Sequence, residues 1–354
     1  MNRHEVIRHN LRLRDLSHTV FKYDYFLEGK TENLFKLYDE SYSCVVLDNN
    51  HIACIELESS LIDIWNINTG NKIRSLHGHL KKIDNLYQVI EVLQLLPDGR
   101  LISGSTDNTV RIWNWHTGEC EVILQGENSV SNIILLSSGK LAVGYFDGIK
   151  IWNLNTLEVE MEMQQDEIEN RSFLEINNHI VSGSYQGGDV TLFNLRTGKV
   201  TNYNYLFKNG SYLKIFDKNS FICISSEDKL NIWRVKNDEL KIDKSFQVSG
   251  IVNFFVINYK IIYFLQVPSL FKVKLLDINN GSKTDLGISG TYLKDVKILP
   301  DNNIAVFFTN HLNIYDLEDN SLDMRYEGSK FNELIILDNK LLVSHYKGGL
   351  TILR

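Results

Sequence analysis

His77, His79, Ser103, Ser105 and Asp107 carry the groups from which nucleophilic or metal chemistry is usually built. A serine hydroxyl beside an imidazole can attack an acyl carbon, but it must stand on an exposed Gly-x-Ser-x-Gly turn between strand and helix. The serines here fall in Ser103-Gly104-Ser105 and Ser182-Gly183-Ser184, inside runs that read as strands. His77 and His79 flank one glycine, and no cysteine or carboxylate cluster joins them to complete a metal site. Glu158, Glu160 and Glu162 alternate with Val159, Met161 and Met163, which is an exposed strand with a core side rather than an acid pair for glycoside cleavage. No Gly-x-Gly-x-x-Gly or Walker pattern offers a phosphate cradle. The expectation is a protein without catalytic residues, metal or cofactor.

The elements that would position any site are strands. An apolar run ending in a large residue recurs as Leu61-Ile62-Asp63-Ile64-Trp65-Asn66, Val110-Arg111-Ile112-Trp113-Asn114 and Ile149-Lys150-Ile151-Trp152-Asn153. Weaker copies are centred on Phe193, Trp233, Leu275, Tyr315 and Leu353. Neighbouring copies are 48, 39, 41, 40, 42, 40 and 38 residues apart. A period of about 40–45 residues with a Trp-Asp-like dipeptide marks one four-stranded propeller blade. The second unit shows the order of signals well: an apolar run, the turn Pro97-Asp98-Gly99, a second run, the turn Thr106-Asp107-Asn108, the Trp strand, then Thr117-Gly118 and an outer strand. Strands split by Gly, Asn and Asp turns follow from β-branched and aromatic enrichment. We name the four strands of each unit a, b, c and d. The predicted fold is all-β, a closed β-propeller of four-stranded antiparallel blades. Eight c-strands imply eight blades; the alternative is seven, with the unit around Leu275 or the eighth unit folded otherwise.

These units resemble WD-repeat blades, over roughly residues 32–354. The second copy carries His77-Gly78-His79, Ser103-Gly104-Ser105, Asp107 and Trp113. The resemblance implies that His79, Ser103, Asp107 and Trp113 form a hydrogen-bonded structural tetrad. Other units depart from the pattern: they lack Gly-His, and Asn replaces Asp after Trp, so apolar packing should hold them. The chain stops after the eighth c-strand, and the strand-like segment 32–39 is placed to supply the missing strand beside Leu350–Leu353 and so to close the ring. Residues 1–31 form an arm outside the repeats, with Arg3, Arg8, Arg12 and Arg14 beside Ile7 and Leu11. It reads either as an arm lying on the side of the ring or as a partner-binding element.

Composition narrows the partners. The chain has 354 residues, 43% hydrophobic, and a net charge of −7, without the basic footprint of a nucleic-acid binder. No apolar stretch approaches the ~20 residues a bilayer needs, so no membrane insertion is expected. Cys44, Cys54, Cys120 and Cys223 form no Cys-x-x-Cys pair and are expected as reduced thiols, although Cys44 and Cys54 could face each other across a hairpin. A cytoplasmic monomer follows. Abundant Asn, Ile, Lys and Tyr with scarce Pro, Ala and Arg is what AT-rich coding produces, and it raises the idea of a pathogen effector in the host cytosol.

In a blade the backbone is locked, so recognition falls to loops. The b–c turn tips fall near Glu58, Thr106, Tyr145, Tyr185, Glu227, Phe308 and Tyr346. Aromatics at matching turns suit interface anchors, or each ring leans on its own blade. The 48-residue spacing places extra residues at 80–87, including Lys81, Lys82 and Tyr87. The function expected is a non-catalytic scaffold that binds a protein or peptide on this top face. The alternative is an enzyme or small-ligand propeller that uses the central channel.

Overall fold

The computed structural model describes residues 32–35, 41–56, 60–80, 82–83, 86–145, 148–164, 170–184, 188–204, 213–225, 227–257, 259–267, 270–290, 293–299, 303–308, 311–316, 322–327, 331–337, 340–345 and 350–353. These residues form eight four-stranded antiparallel sheets, and no helix is found among them. In the first seven sheets, strands a, b, c and d follow one another in space as in sequence. Sheet 1 comprises Ser41–Asp48, His51–Glu56, Ile62–Asn66 and Asn71–Leu76. Sheet 2 comprises Ile90–Leu95, Leu101–Ser105, Thr109–Asn114 and Glu119–Gln125, and sheet 3 Val130–Leu135, Leu141–Tyr145, Gly148–Asn153 and Glu158–Gln164. The unit around Leu275 is a full sheet, Ile251–Ile257, Lys260–Val267, Leu270–Asp277 and Lys283–Gly290. The eighth sheet takes its outer strand from Glu32–Phe35, which runs antiparallel to Leu350–Leu353 through Glu32↔Ile352 and Asn33↔Thr351. Of the expected strand 32–39, residues 32–35 are described, and residues 1–31 and 36–40 lie outside the described residues.

The turn that follows the c-strand explains the dipeptide. The Asn66 side-chain oxygen accepts the backbone N–H groups of Asn68 and Thr69, both at 3.0 Å. Asn153 does the same for Asn155 at 2.9 Å and Thr156 at 3.3 Å, and Asn194 for Arg196 at 2.8 Å and Thr197 at 2.9 Å. A short side-chain oxygen folds back on its own turn in this way, and Asn serves as well as Asp. The c–d ladder also shifts register just before the aromatic at Ile64/Trp65, Ile151/Trp152, Ile232/Trp233 and Ile314/Tyr315.

The chain divides into two compact units, Met1–Ile123 with Gly290–Arg354, and Leu124–Ser289. In the first, Leu47, Ile64, Leu93, Trp113 and Trp115 share one core cluster between sheets 1 and 2. In the second, Ile149, Met163, Phe173 and Phe193 form one cluster, and Ile222, Ile232, Phe254 and Tyr263 another. The b-strands Leu101–Ser105, Leu141–Tyr145 and Ile304–Phe308 are buried at every residue, because both faces meet neighbours. The d-strand Glu119–Gln125 is mostly open to solvent. Burying each large side chain contributes about 1.5–3 kcal/mol.

One expectation is corrected here. Cys44 and Cys54 are not free thiols: the a–b register of sheet 1 sets them directly opposite, and they are joined as a disulfide with Cα atoms 4.2 Å apart.

Candidate interaction site

The site is built outward from Asp107 in the b–c turn of sheet 2. His79 lies just before that sheet, and its Nδ1 is 2.9 Å from Asp107 Oδ2 while its Nε2 is 2.7 Å from Ser103 Oγ. Trp113 Nε1 donates to the same Ser103 Oγ at 2.8 Å. The structure thus brings together all four members of the tetrad. One proton assignment satisfies the chain: neutral His79 donates to Asp107, accepts from Ser103, and Ser103 accepts from Trp113. Burial pushes the His79 pKa below its ordinary value, against the pull of the Asp107 hydrogen bond and charge. For Asp107, burial acts to raise the pKa, but the hydrogen bonds from His79, Thr109 and the Leu80 N–H prevail and hold it far below the carboxylate range.

The same chain of Ser, His and Asp has the connectivity of a nucleophilic triad, yet it cannot meet a substrate. Ser103 is 0% exposed and Asp107 3%, and the serine oxygen is already engaged by the indole. The arrangement is a staple of buried polar groups that satisfy one another.

That staple holds something outside the sheet. Between sheets 1 and 2 stands an extra two-stranded hairpin, Lys82–Ile83 with Leu86–Tyr87, paired through Lys82↔Tyr87 and Ile83↔Leu86. Its entry is fixed by the Leu80 N–H, which donates to Asp107 Oδ2 at 2.8 Å. Its exit is fixed by Thr106, whose hydroxyl donates to Gln88 Oε1 at 2.8 Å and accepts the Val89 N–H at 2.9 Å. Ser60, in the b–c turn of sheet 1, donates to Gln88 O at 2.9 Å. Leu80, at the entry, is 51% exposed. Ser60, Gln88 and Thr109 are supports that the sequence reading did not name. Thr109 had a signal, a hydroxyl two residues after Asp107; Gln88 had none.

Two of the four aromatic turn tips, Tyr145 and Phe308, are corrected. Tyr145 is 1% exposed and Phe308 0%, so neither can serve as a surface anchor. The cause lies in glycines just before each sheet. A Cβ on Gly126 would stand 2.2 Å from Tyr145 Cε1, and one on Gly290 2.6 Å from Phe308 Cδ1. Each ring fills the space a side chain would take. Phe308 also stacks on His311 with centroids 4.5 Å apart, and Lys150 Nζ lies 5.9 Å from the Tyr145 ring centre. Glu227 is exposed and ion-paired with Lys229 in its own turn. Thr106 is half-buried at the foot of the hairpin. Lys82 and Tyr87 lie on the hairpin backbone. Glu58, Lys81, Tyr185 and Tyr346 fall outside the described residues. Among the described residues no group of three His, Cys, Asp or Glu side chains could hold a metal ion, and no helix is long and apolar enough to cross a membrane.

Comparison with known proteins follows the same geography. The family described as "WD domain, G-beta repeat" matches residues 70–114, the stretch that holds the hairpin and the tetrad. The mouse apoptotic protease-activating factor 1 is 29% identical over 134 residues, 37% of this chain and 10% of that protein. The human protein of the same name is 24% identical over 231 residues, 60% of this chain and 17% of that protein. The Schizosaccharomyces pombe WD repeat-containing protein pop1 is 32% identical over 92 residues, 26% of this chain and 11% of that protein. The chain therefore spans well under two thirds of the curated relatives it matches. Among solved structures, the computationally designed Ika8 protein superposes with a TM-score of 0.68 at 18% identity, covering 91% of this chain and 99% of that one. The C-terminal WD40 domain of Sif2 gives 0.66 at 16%, covering 96% and 98%. At these identities the likeness is one of fold.

Proposed function

Since the chain is a WD-repeat β-propeller of degenerate repeats, we propose that it is a non-catalytic scaffold whose partner, a protein or peptide, docks on the hairpin 82–87 and the turns that carry it. The observation behind this reading is the hairpin itself, which adds nothing to any sheet and yet is tied down at both feet by side chains of two b–c turns. A loop that the fold does not need, held on a rigid base, is where recognition is gained with little ordering cost. Half-exposed Leu80 gives the contact an apolar centre. The working compartment in this reading is the cytoplasm, that of a host cell if the chain is a secreted effector, and the working form is a monomer.

The test replaces residues 81–87 with a short Gly-Ser turn and, separately, changes Leu80→Asp. Partners captured by the parent chain and identified by mass spectrometry should be lost from both variants, with melting temperatures within about 2 °C of the parent. Equal capture by all three chains would refute the hairpin site. A turnover activity lost on mutating charged channel residues would refute the scaffold reading.

A further inference from the structure

We propose that Cys44 and Cys54 form a reversible redox staple that tightens or loosens sheet 1. The two residues are directly opposite on antiparallel strands a and b, and the apolar pairs Val45↔Ala53 and Val46↔Ile52 continue the ladder beside them. Both are 3% exposed, so the pair is shielded from casual oxidation and answers only when the strands part. Exchange therefore requires a transient local opening of the two strands. Register shifts interrupt the ladder between Ser41 and Ser43 on one side and between Val46 and Asp48 on the other. Each interruption leaves a residue without its ladder partner and weakens local pairing. The other two cysteines are poor competitors. Cys120 directs its thiol to Val122 O at 3.5 Å and sits 3.8 Å from Arg111 Nη1, while Cys223 is fully buried in the other unit. Burial also pushes the Cys223 thiol well above its ordinary range, away from the reactive thiolate form.

The chemistry is thiol–disulfide exchange with a low-molecular-weight disulfide such as oxidised glutathione. One cysteine thiolate attacks the small disulfide and expels a small thiolate. The second cysteine thiolate then attacks the mixed disulfide and expels the other small thiolate. The two cysteines lose two protons and two electrons, and the small disulfide gains both as two thiols. A reduced small thiol in excess runs the sequence backwards. The consequence reaches the hairpin foot, because strand b runs toward Ser60, which holds Gln88.

The full chain is equilibrated with oxidised glutathione or with dithiothreitol, and free thiols are counted after denaturation. Two free thiols in the oxidised chain, assigned by peptide mapping to Cys120 and Cys223, and four in the reduced chain are expected. The oxidised form should melt higher, by on the order of 3–6 °C, with slower amide exchange over 41–56. A Cys44→Ala/Cys54→Ala chain should show no redox shift in melting; should it fail to fold, the parent chain in its two redox states carries the test. Four free thiols after full oxidation, a bond to Cys120 or Cys223, or a bond that changes neither melting nor exchange would overturn the proposal.

Discussion

Asp107 accepts four hydrogen bonds, from His79, the Leu80 N–H, the Thr109 N–H and the Thr109 hydroxyl, and its side chain is wholly buried. Its carboxyl is therefore depressed in the folded chain relative to the ordinary 3.8, and His79 is depressed relative to 6.5. Both shifts act in the same direction. The unfolded chain takes up a proton on the histidine below 6.5 while the folded chain stays neutral there, so stability falls as pH drops through that value. A second loss begins below 3.8, where the unfolded aspartate protonates first. Urea melts at stepped pH should show both stages, and His79→Gln should remove the first; a flat profile from pH 7 to 5 in the parent would contradict the assignment of a neutral His79. The buried tips make a second prediction at this scale. Tyr145→Ala should cost about 3 kcal/mol of stability by leaving a cavity. Gly126→Ala should cost about 1–3 kcal/mol by collision with the ring. In the Tyr145→Ala background the added methyl should cost far less, and additive losses in the four-way cycle would mean the ring does not occupy that space.

A recurrent polar rung holds the outer pair of strands at the level of the element. Two residues before the c-strand aromatic, Asp63 pairs with Ser75, Lys150 with Glu162, Thr191 with Asn202 and Asn231 with Ser245, each directly across the c–d ladder. Ser245 Oγ donates to Asn231 Oδ1 at 2.6 Å, Thr191 Oγ1 to Asn202 Oδ1 at 3.0 Å, and Lys150 Nζ lies 3.3 Å from Glu162. All four c-strand members are buried, so each rung satisfies a polar group that would otherwise stand dry. These four sheets thus keep a smaller staple of their own, and its identity changes from sheet to sheet because only satisfaction is required. The eighth sheet is the exposed case. Its outer strand is Glu32–Phe35, and without it Leu350–Leu353 would present an open edge. Deleting residues 1–40 should yield a chain that aggregates or melts lower, whereas deleting 1–28 should leave melting nearly unchanged. Light scattering and a thermal melt decide this, and a monomeric 1–40 deletion with the parent melting temperature would rule it out.

At the scale of the whole molecule, two units of four sheets each accompany a likeness of fold to the designed Ika8 protein and to the C-terminal WD40 domain of Sif2 that covers nine tenths or more of the chain. The number and order of these sheets were legible from the spacing of Trp65, Trp113, Trp152 and their weaker copies, because each sheet is a local meander whose pairings are made within one repeat. The tetrad was legible for the same reason, since His79 and Trp113 belong to one unit. What stayed hidden depends on how side chains from neighbouring turns meet. Whether Tyr145 and Phe308 faced solvent was set by Gly126 and Gly290, residues whose small size says nothing of what fills the gap. Whether the extra residues at 80–87 were a drifted strand or a separate hairpin was set by hydrogen bonds donated by Ser60 and Thr106 and one accepted by Asp107. Whether Cys44 and Cys54 met was set by ladder register, where a slip of one residue would have sent them to opposite faces. Periodicity in sequence therefore determined the strands and their count, since backbone pairing is local and repeats. Burial, anchoring and cross-linking were decided only in three dimensions, since they depend on atoms that distant turns bring within a few ångströms.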